Sequence, residues 1–195
     1  MTRPTTLLIA ALTLGGAQLA AAQAPPARHG FWGAFGLGYG NNSLTCSDGC
    51  SFNSTAKGGG LTMALKLGGT PSARVRLGGE VNLWTKDQSG ETESVGNISA
   101  TVYFYPAARS GFFLKGGVGV ASFQLIRGNS TTIADGIGFL TGLGYDIRVG
   151  SKVSLSPIAN FYFGHDGDLS DASGGVAIPG IKHAIADVGL SVQYN

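Results

Sequence analysis

From Phe31 to Tyr194 large apolar side chains return at nearly every second position, and almost nowhere at the three-to-four-residue spacing of an amphipathic helix. Phe31, Phe35, Leu37 and Tyr39 share one parity, while Ala34, Gly36, Gly38 and Gly40 hold the other. The same contrast sets Leu61, Met63, Leu65 and Leu67 against Thr62, Ala64, Lys66 and Gly68, then Val75, Leu77, Val81 and Leu83 against Arg76, Glu80 and Asn82. It recurs around Ile98, Phe112, Ile137, Val153 and Ala186. The count is about eight strands, each expected to have the roughly 9 to 11 residues of a tilted membrane-crossing strand.

A soluble sandwich alternates as well, so the links between strands have to decide. Short links are expected around Thr70 and Pro71, Ala107 and Ala108, and Val149 and Gly150. Longer polar ones are expected around Cys46, Gln88, Asn129 and Asp168. Strict alternation of long and short is the asymmetry of a spanning barrel, and it puts both ends of the barrel on the short-turn side. Only 12% of the residues are charged and 33 are glycine, a thin charged surface for a water-soluble globule. Aromatic residues near strand ends, namely Phe31, Tyr39, Trp84, Tyr103, Tyr105, Phe112, Phe161 and Phe163, are expected in interfacial girdles, although some have inward parity. Strands with one face in lipid leave no group unpaired only as a closed cylinder. The expected fold is therefore all-β, an eight-stranded antiparallel transmembrane up-and-down β-barrel.

Arg3, the apolar run Leu7 to Leu14 and the small residues Ala20, Ala21 and Ala22 follow the order of a secretory signal peptide. The expected division is a signal peptide over 1–22, a short Pro-containing lead-in over 23–29 and the barrel over 30–195. Loss of Arg3 takes the formal charge from +2 to +1. No basic field of the kind nucleic acid requires remains.

The pieces Tyr103-Phe104-Tyr105-Pro106, Phe113 to Gly119, Gly142 to Asp146 and Val188 to Tyr194 resemble the outer-membrane protein β-barrel domain family, the small barrels similar to the membrane domain of OmpA and to OmpX. The resemblance covers the whole expected mature chain. It implies the outer membrane of a Gram-negative-type bacterium and a role in envelope structure, adhesion or surface interaction; no cofactor is expected. It also implies insertion by the barrel assembly machinery through a C-terminal strand, here Val188, Leu190, Val192 and Tyr194, with lipopolysaccharide and outer-membrane lipid as neighbours. The chain departs from the pattern by ending Tyr194-Asn195 rather than on the aromatic.

Several residues invite a chemical reading. Gly36 to Gly40 and Gly116 to Gly119 lack the strand-to-helix context and the following Lys and Ser or Thr of a phosphate loop, and serve better as small lumen-facing positions. Cys46 and Cys50 are expected to form a local disulfide in the first long link. His165 is expected to point outward just above the lipid band. In the lipid A 3-O-deacylase family, also small barrels, a Ser two residues after the His is the nucleophile, and that position is Gly167 here, with Ser170 further on. Asp166, Asp168 and Asp171 are read as a solvated acidic loop rather than a calcium loop, because the spacing and the terminal Glu are missing. Parity sends Lys66, Arg76, Lys115 and Arg148 into the lumen with Glu80, Asp146 and Asp187. Counting back from Pro71 sets Lys66 opposite Arg76, a like-charge pair for the acids to offset. The expected function is non-enzymatic and carried by the loops of a monomeric barrel. A narrow pore and a lipid A-modifying enzyme are the alternatives.

Overall fold

The computed structural model describes residues 28–45, 57–88, 90–128, 130–170 and 176–195. Its strands are β1 (Gly30–Thr45), β2 (Lys57–Ser72), β3 (Val75–Gln88), β4 (Glu91–Phe104), β5 (Phe112–Arg127), β6 (Ser130–Tyr145), β7 (Ile147–Arg148), β8 (Val153–Ser170) and β9 (Val176–Tyr194). Every neighbouring pair is antiparallel. β7 is a two-residue continuation of β6 past Asp146, and both pair with β8. The nine segments thus make eight staves. β1 pairs with β9 and β6 with β8, so the sheet closes on itself and has no free edge.

The expected alternation governs which way each residue faces. Phe31, Phe35, Leu37 and Tyr39 on β1 and Val188, Leu190, Val192 and Tyr194 on β9 are exposed on the outer wall. Trp32, Ala34, Lys66, Glu80, Lys115 and Asp187 are buried inside it. The outward apolar belt rises from the end that carries Gly30 and Tyr194 to the level of Tyr39, Leu61, Leu83, Ile98, Val120, Ile137 and Val188. Above it most outward positions are polar, among them Asn41, Ser43, Thr45, Asp87, Asp135 and His165, with Ile133 an exposed apolar exception.

Three expectations about the links and strands need correction. The principal strands have 14 to 19 residues, well beyond the expected length, because their upper halves continue above the belt. Only two residues separate Gln88 from Glu91 and Arg127 from Ser130, so the links around Gln88 and Asn129 are tight hairpins rather than long loops. Gly90 at φ 82° and Gly128 at φ 55° supply the left-handed conformation that two-residue hairpins demand. The first short turn is centred on Ala73 and Arg74 rather than on Pro71, since Ser72 pairs with Val75 after a register shift beyond Gly69. The links over 46–56 and 171–175, and with them Cys46, Cys50 and Asp171, lie outside the described residues, as does the expected signal peptide.

The aromatic girdle is also partly corrected. Phe31, Tyr39, Phe112, Phe161 and Phe163 do face outward, but Trp84, Tyr103 and Tyr105 are almost fully enclosed in the lumen. Each has a polar atom with a partner there: the Trp84 Nε1–H donates to Gly40 O at 2.9 Å, Tyr103 OH to Glu80 Oε2 at 2.7 Å, and Tyr105 OH to Asp146 Oδ2 at 3.0 Å.

A cylinder closed by backbone bonds around its whole circumference should stay folded in detergent at room temperature. We expect residues 23–195, refolded in detergent, to migrate differently on a gel before and after boiling and to give a β-type circular-dichroism spectrum. A helical spectrum, or a monomer soluble without detergent, would contradict this fold.

Candidate functional site: the filled lumen

An eight-stave barrel has room inside for side chains and little else. Here they form two apolar storeys around a charged waist. The lower storey is Trp32, Ala34, Tyr103, Tyr105, Phe113 and Ile158, with Trp32 and Tyr103 meeting edge to face at 5.1 Å between ring centres. The upper storey includes Leu44, Trp84, Val95, Phe123, Leu140, Ile181 and Ile185.

Glu80 is the hub of the waist. Its Oε1 accepts from Lys115 Nζ at 2.6 Å and from Tyr162 OH at 3.3 Å, and its Oε2 from Tyr103 OH. Across the hairpin, Lys66 pairs with Glu80 and not with Arg76. The expected like-charge pair does not exist: with the turn two residues further along than Pro71, opposite charges meet instead. Lys66 also lies in the fields of Asp187 and Asp146. Asp187 Oδ2 accepts from Thr62 Oγ1 at 2.9 Å.

Below the waist, Arg76 Nη1 donates to Tyr105 OH at 3.0 Å and lies 3.7 Å from Asp146 Oδ2, while Nη2 donates to Asn195 Oδ1 at 2.8 Å. Asp146 also accepts from Ser156 Oγ at 2.7 Å. Arg28, from the lead-in, seals the lower mouth. Its guanidinium stacks 3.6 Å from the centre of the Tyr105 ring and donates to the carbonyls of Ala108 and Ser110. Asn195, the residue at which the chain departs from the resemblance, is thereby tied into the same plug.

Six of the seven charges expected inside are buried there. Arg148 is the correction. It follows the break at Asp146, beyond the last rung of the lumen, and donates to the carbonyls of Gly150 and Ser151 in the lower turn. Removing it leaves three cations, Lys66, Arg76 and Lys115, against three carboxylates, Glu80, Asp146 and Asp187.

Near the upper mouth sits a pair that the sequence reading did not anticipate. His183 Nδ1 lies 2.7 Å from Asp166 Oδ2, with both side chains fully buried. A carboxylate only accepts, so Nδ1 carries the proton and donates it. The signal was available, since His183 shares the inward parity of Asp187. At Asp166 the signal is hidden, because the polar run from His165 to Asp168 reads as a loop, whereas β8 runs on to Ser170. Gly164 makes the pair possible: a β-carbon there would collide with His183 Cε1. The solvated acidic cluster is accordingly corrected, with Asp166 inside and Asp168 exposed, accepting from the Gly180 N–H at 2.9 Å. Among the described residues no group of three or more His, Cys, Asp or Glu is placed to hold a metal ion. His165 faces outward as expected, beside Ile137 and Lys182 on its neighbouring strands.

No family model matches the chain, and no curated protein sequence matches it. Solved structures do. Neisserial surface protein A superposes with a TM-score of 0.53 at 15% identity, over 83% of this chain and 96% of that one. The attachment invasion locus protein Ail of Yersinia pestis, in complex with the heparin analogue sucrose octasulfate, superposes with a TM-score of 0.54 at 9% identity, over 85% and 99%. The fold is that of the small eight-stranded outer-membrane barrels. At these identities the likeness is one of fold alone.

The hub makes a quantitative expectation possible. Replacing Glu80 by Ala leaves Lys115 and Lys66 buried without their shared carboxylate, and loss of one partner of a buried pair costs about 3 to 5 kcal/mol. Urea unfolding in lipid vesicles should register that loss, and a change near zero would mean that the waist charges are separately hydrated.

Proposed function

We propose that the protein is a non-enzymatic outer-membrane barrel whose activity lies at its extracellular end, in surface interaction or envelope structure. The observation that supports this reading most directly is the filled lumen. Apolar storeys, a neutralised waist and an Arg28 seal follow one another from mouth to mouth, so solutes have no evident route through, and contact with other molecules falls to the outside. The strands carry that contact surface upward, since outward positions above the belt such as Asn41, Ser43, Thr45, Asp87 and Asp135 are polar.

The names of the two superposed structures, a surface protein and an attachment invasion protein, agree with such a role. The outward belt suits outer-membrane lipid, with lipopolysaccharide headgroups at the level of His165 and Lys182. Insertion by the barrel assembly machinery through β9 and a monomeric state complete the proposal. The enzymatic alternative finds less support. His165 has Gly167 where the deacylase pattern has its nucleophile, and the buried Asp166–His183 pair offers no face to a substrate.

Planar-bilayer recording of the refolded barrel separates this reading from the pore. The proposal expects no steady current, and a stable open level would overturn it in favour of a solute channel. Mass spectrometry of lipid A from cells with and without the protein should show identical species, and a missing acyl chain would identify an enzyme.

A further inference from the structure

Between the two apolar storeys a small cavity opens, with about 10 Å³ of room for water centres, lined by Thr62, Asn82, Asn97, Asn160, Tyr162 and Asp187 among others. The four Asn and Asp side chains of this lining are all more than nine-tenths buried. Each has at least one polar atom without a protein partner: Asn82 Nδ2, Asn97 Oδ1, both Nδ2 and Oδ1 of Asn160, and Asp187 Oδ1. The remaining atoms are in use, because Asn82 Oδ1 accepts from Tyr162 OH at 2.7 Å and Asp187 Oδ2 from Thr62. Asn160 and Asp187 face each other directly across β8 and β9, as Asn82 and Asn97 do across β3 and β4. The unpartnered atoms therefore belong to two cross-strand pairs that line one space.

We propose that this chamber is a binding site for a single water molecule, held as a fixed part of the plug. Its size is close to the smallest space that accepts a water molecule, and such a molecule needs two to four polar partners. Left dry, each unpaired buried group would weaken folding by a factor of about ten. Water suits the site better than a cation for two reasons. The amide hydrogens of Asn82 and Asn160 need an acceptor, which a cation is not, whereas Asn97, Asn160 and Asp187 need a donor. The waist is also already balanced, Lys66 and Lys115 against Glu80 and Asp187, so an added positive charge beside the two lysines would be unfavourable. Trp84, Val95 and Ile185 above and Ile158 below line the same space and give its polar groups no further partner.

The inference rests on the reading of the lumen as a plug, and the two can fail separately. Water-to-amide cross-relaxation measured by NMR on the refolded, deuterated barrel should show cross-peaks at the side-chain amides of Asn82 and Asn160, unaffected by exchanging sodium for potassium. Absence of those peaks in a barrel that carries no bilayer current overturns the bound water and leaves the plug standing. Amide shifts that saturate with sodium or potassium concentration overturn water in favour of a cation. A second arm uses Asn160→Leu. With water present, leucine expels it and strands Asn82 and Asp187, so the urea midpoint falls and the unfolding constant rises about tenfold for each stranded group. A dry chamber predicts the opposite sign, because leucine removes two unpaired atoms and fills space.

Discussion

A carboxylate enclosed at the centre of a narrow tube has to be neutralised where it stands, and in this barrel that carboxylate is Glu80. Its two oxygens collect a lysine and two tyrosines from β4, β5 and β8, while Lys66 faces it from β2. One residue on β3 thus ties together staves from most of the circumference. The lower network of Arg76, Tyr105 and Asp146 repeats the arrangement and draws in the lead-in through Arg28 and the final residue through Asn195. Low dielectric makes each of these bonds stronger and each omission more costly, so the lumen is a set of interdependent pairs rather than a lining.

The outer wall and the lumen solve opposite problems with the same period. Outside, lipid accepts Leu, Val and Phe without any need for close packing. Inside, large aromatic rings can enter only where the facing positions are small. Gly60 lies against the Trp84 indole and Gly164 against the His183 ring, and at each a β-carbon would collide with the neighbour. The many glycines of the inward parity are the spaces into which the plug is packed.

Fold class, stave number and facing were legible because they depend on parity, which a strand preserves along its length. Parity correctly sent Lys66, Glu80, Lys115, Asp146 and Asp187 inward. What parity cannot supply is register. The first turn lies at Ala73 and Arg74 rather than at Pro71, and this displacement by two residues puts a Lys66–Glu80 attraction where a Lys66–Arg76 repulsion is expected. Strand ends were equally opaque. Polar residues above the lipid belt read as loops, although hairpins at Gly90 and Gly128 keep them paired, and Asp166 was misplaced for that reason. Partner choice lay furthest from view, since Tyr103 and Tyr105 serve the plug through a hydroxyl whose acceptor sits on another strand.

The claim on which the account depends is that Glu80 and Lys115 are bound to each other inside a closed lumen. A double-mutant cycle with Glu80→Gln and Lys115→Met, followed by equilibrium unfolding in vesicles, measures that bond with the effects of each single change removed. The account predicts a favourable coupling in the upper part of the roughly 0.5 to 3 kcal/mol range found for contacting residues. Additive single effects, with coupling near zero, would show that the two charges are solvated independently and would contradict it.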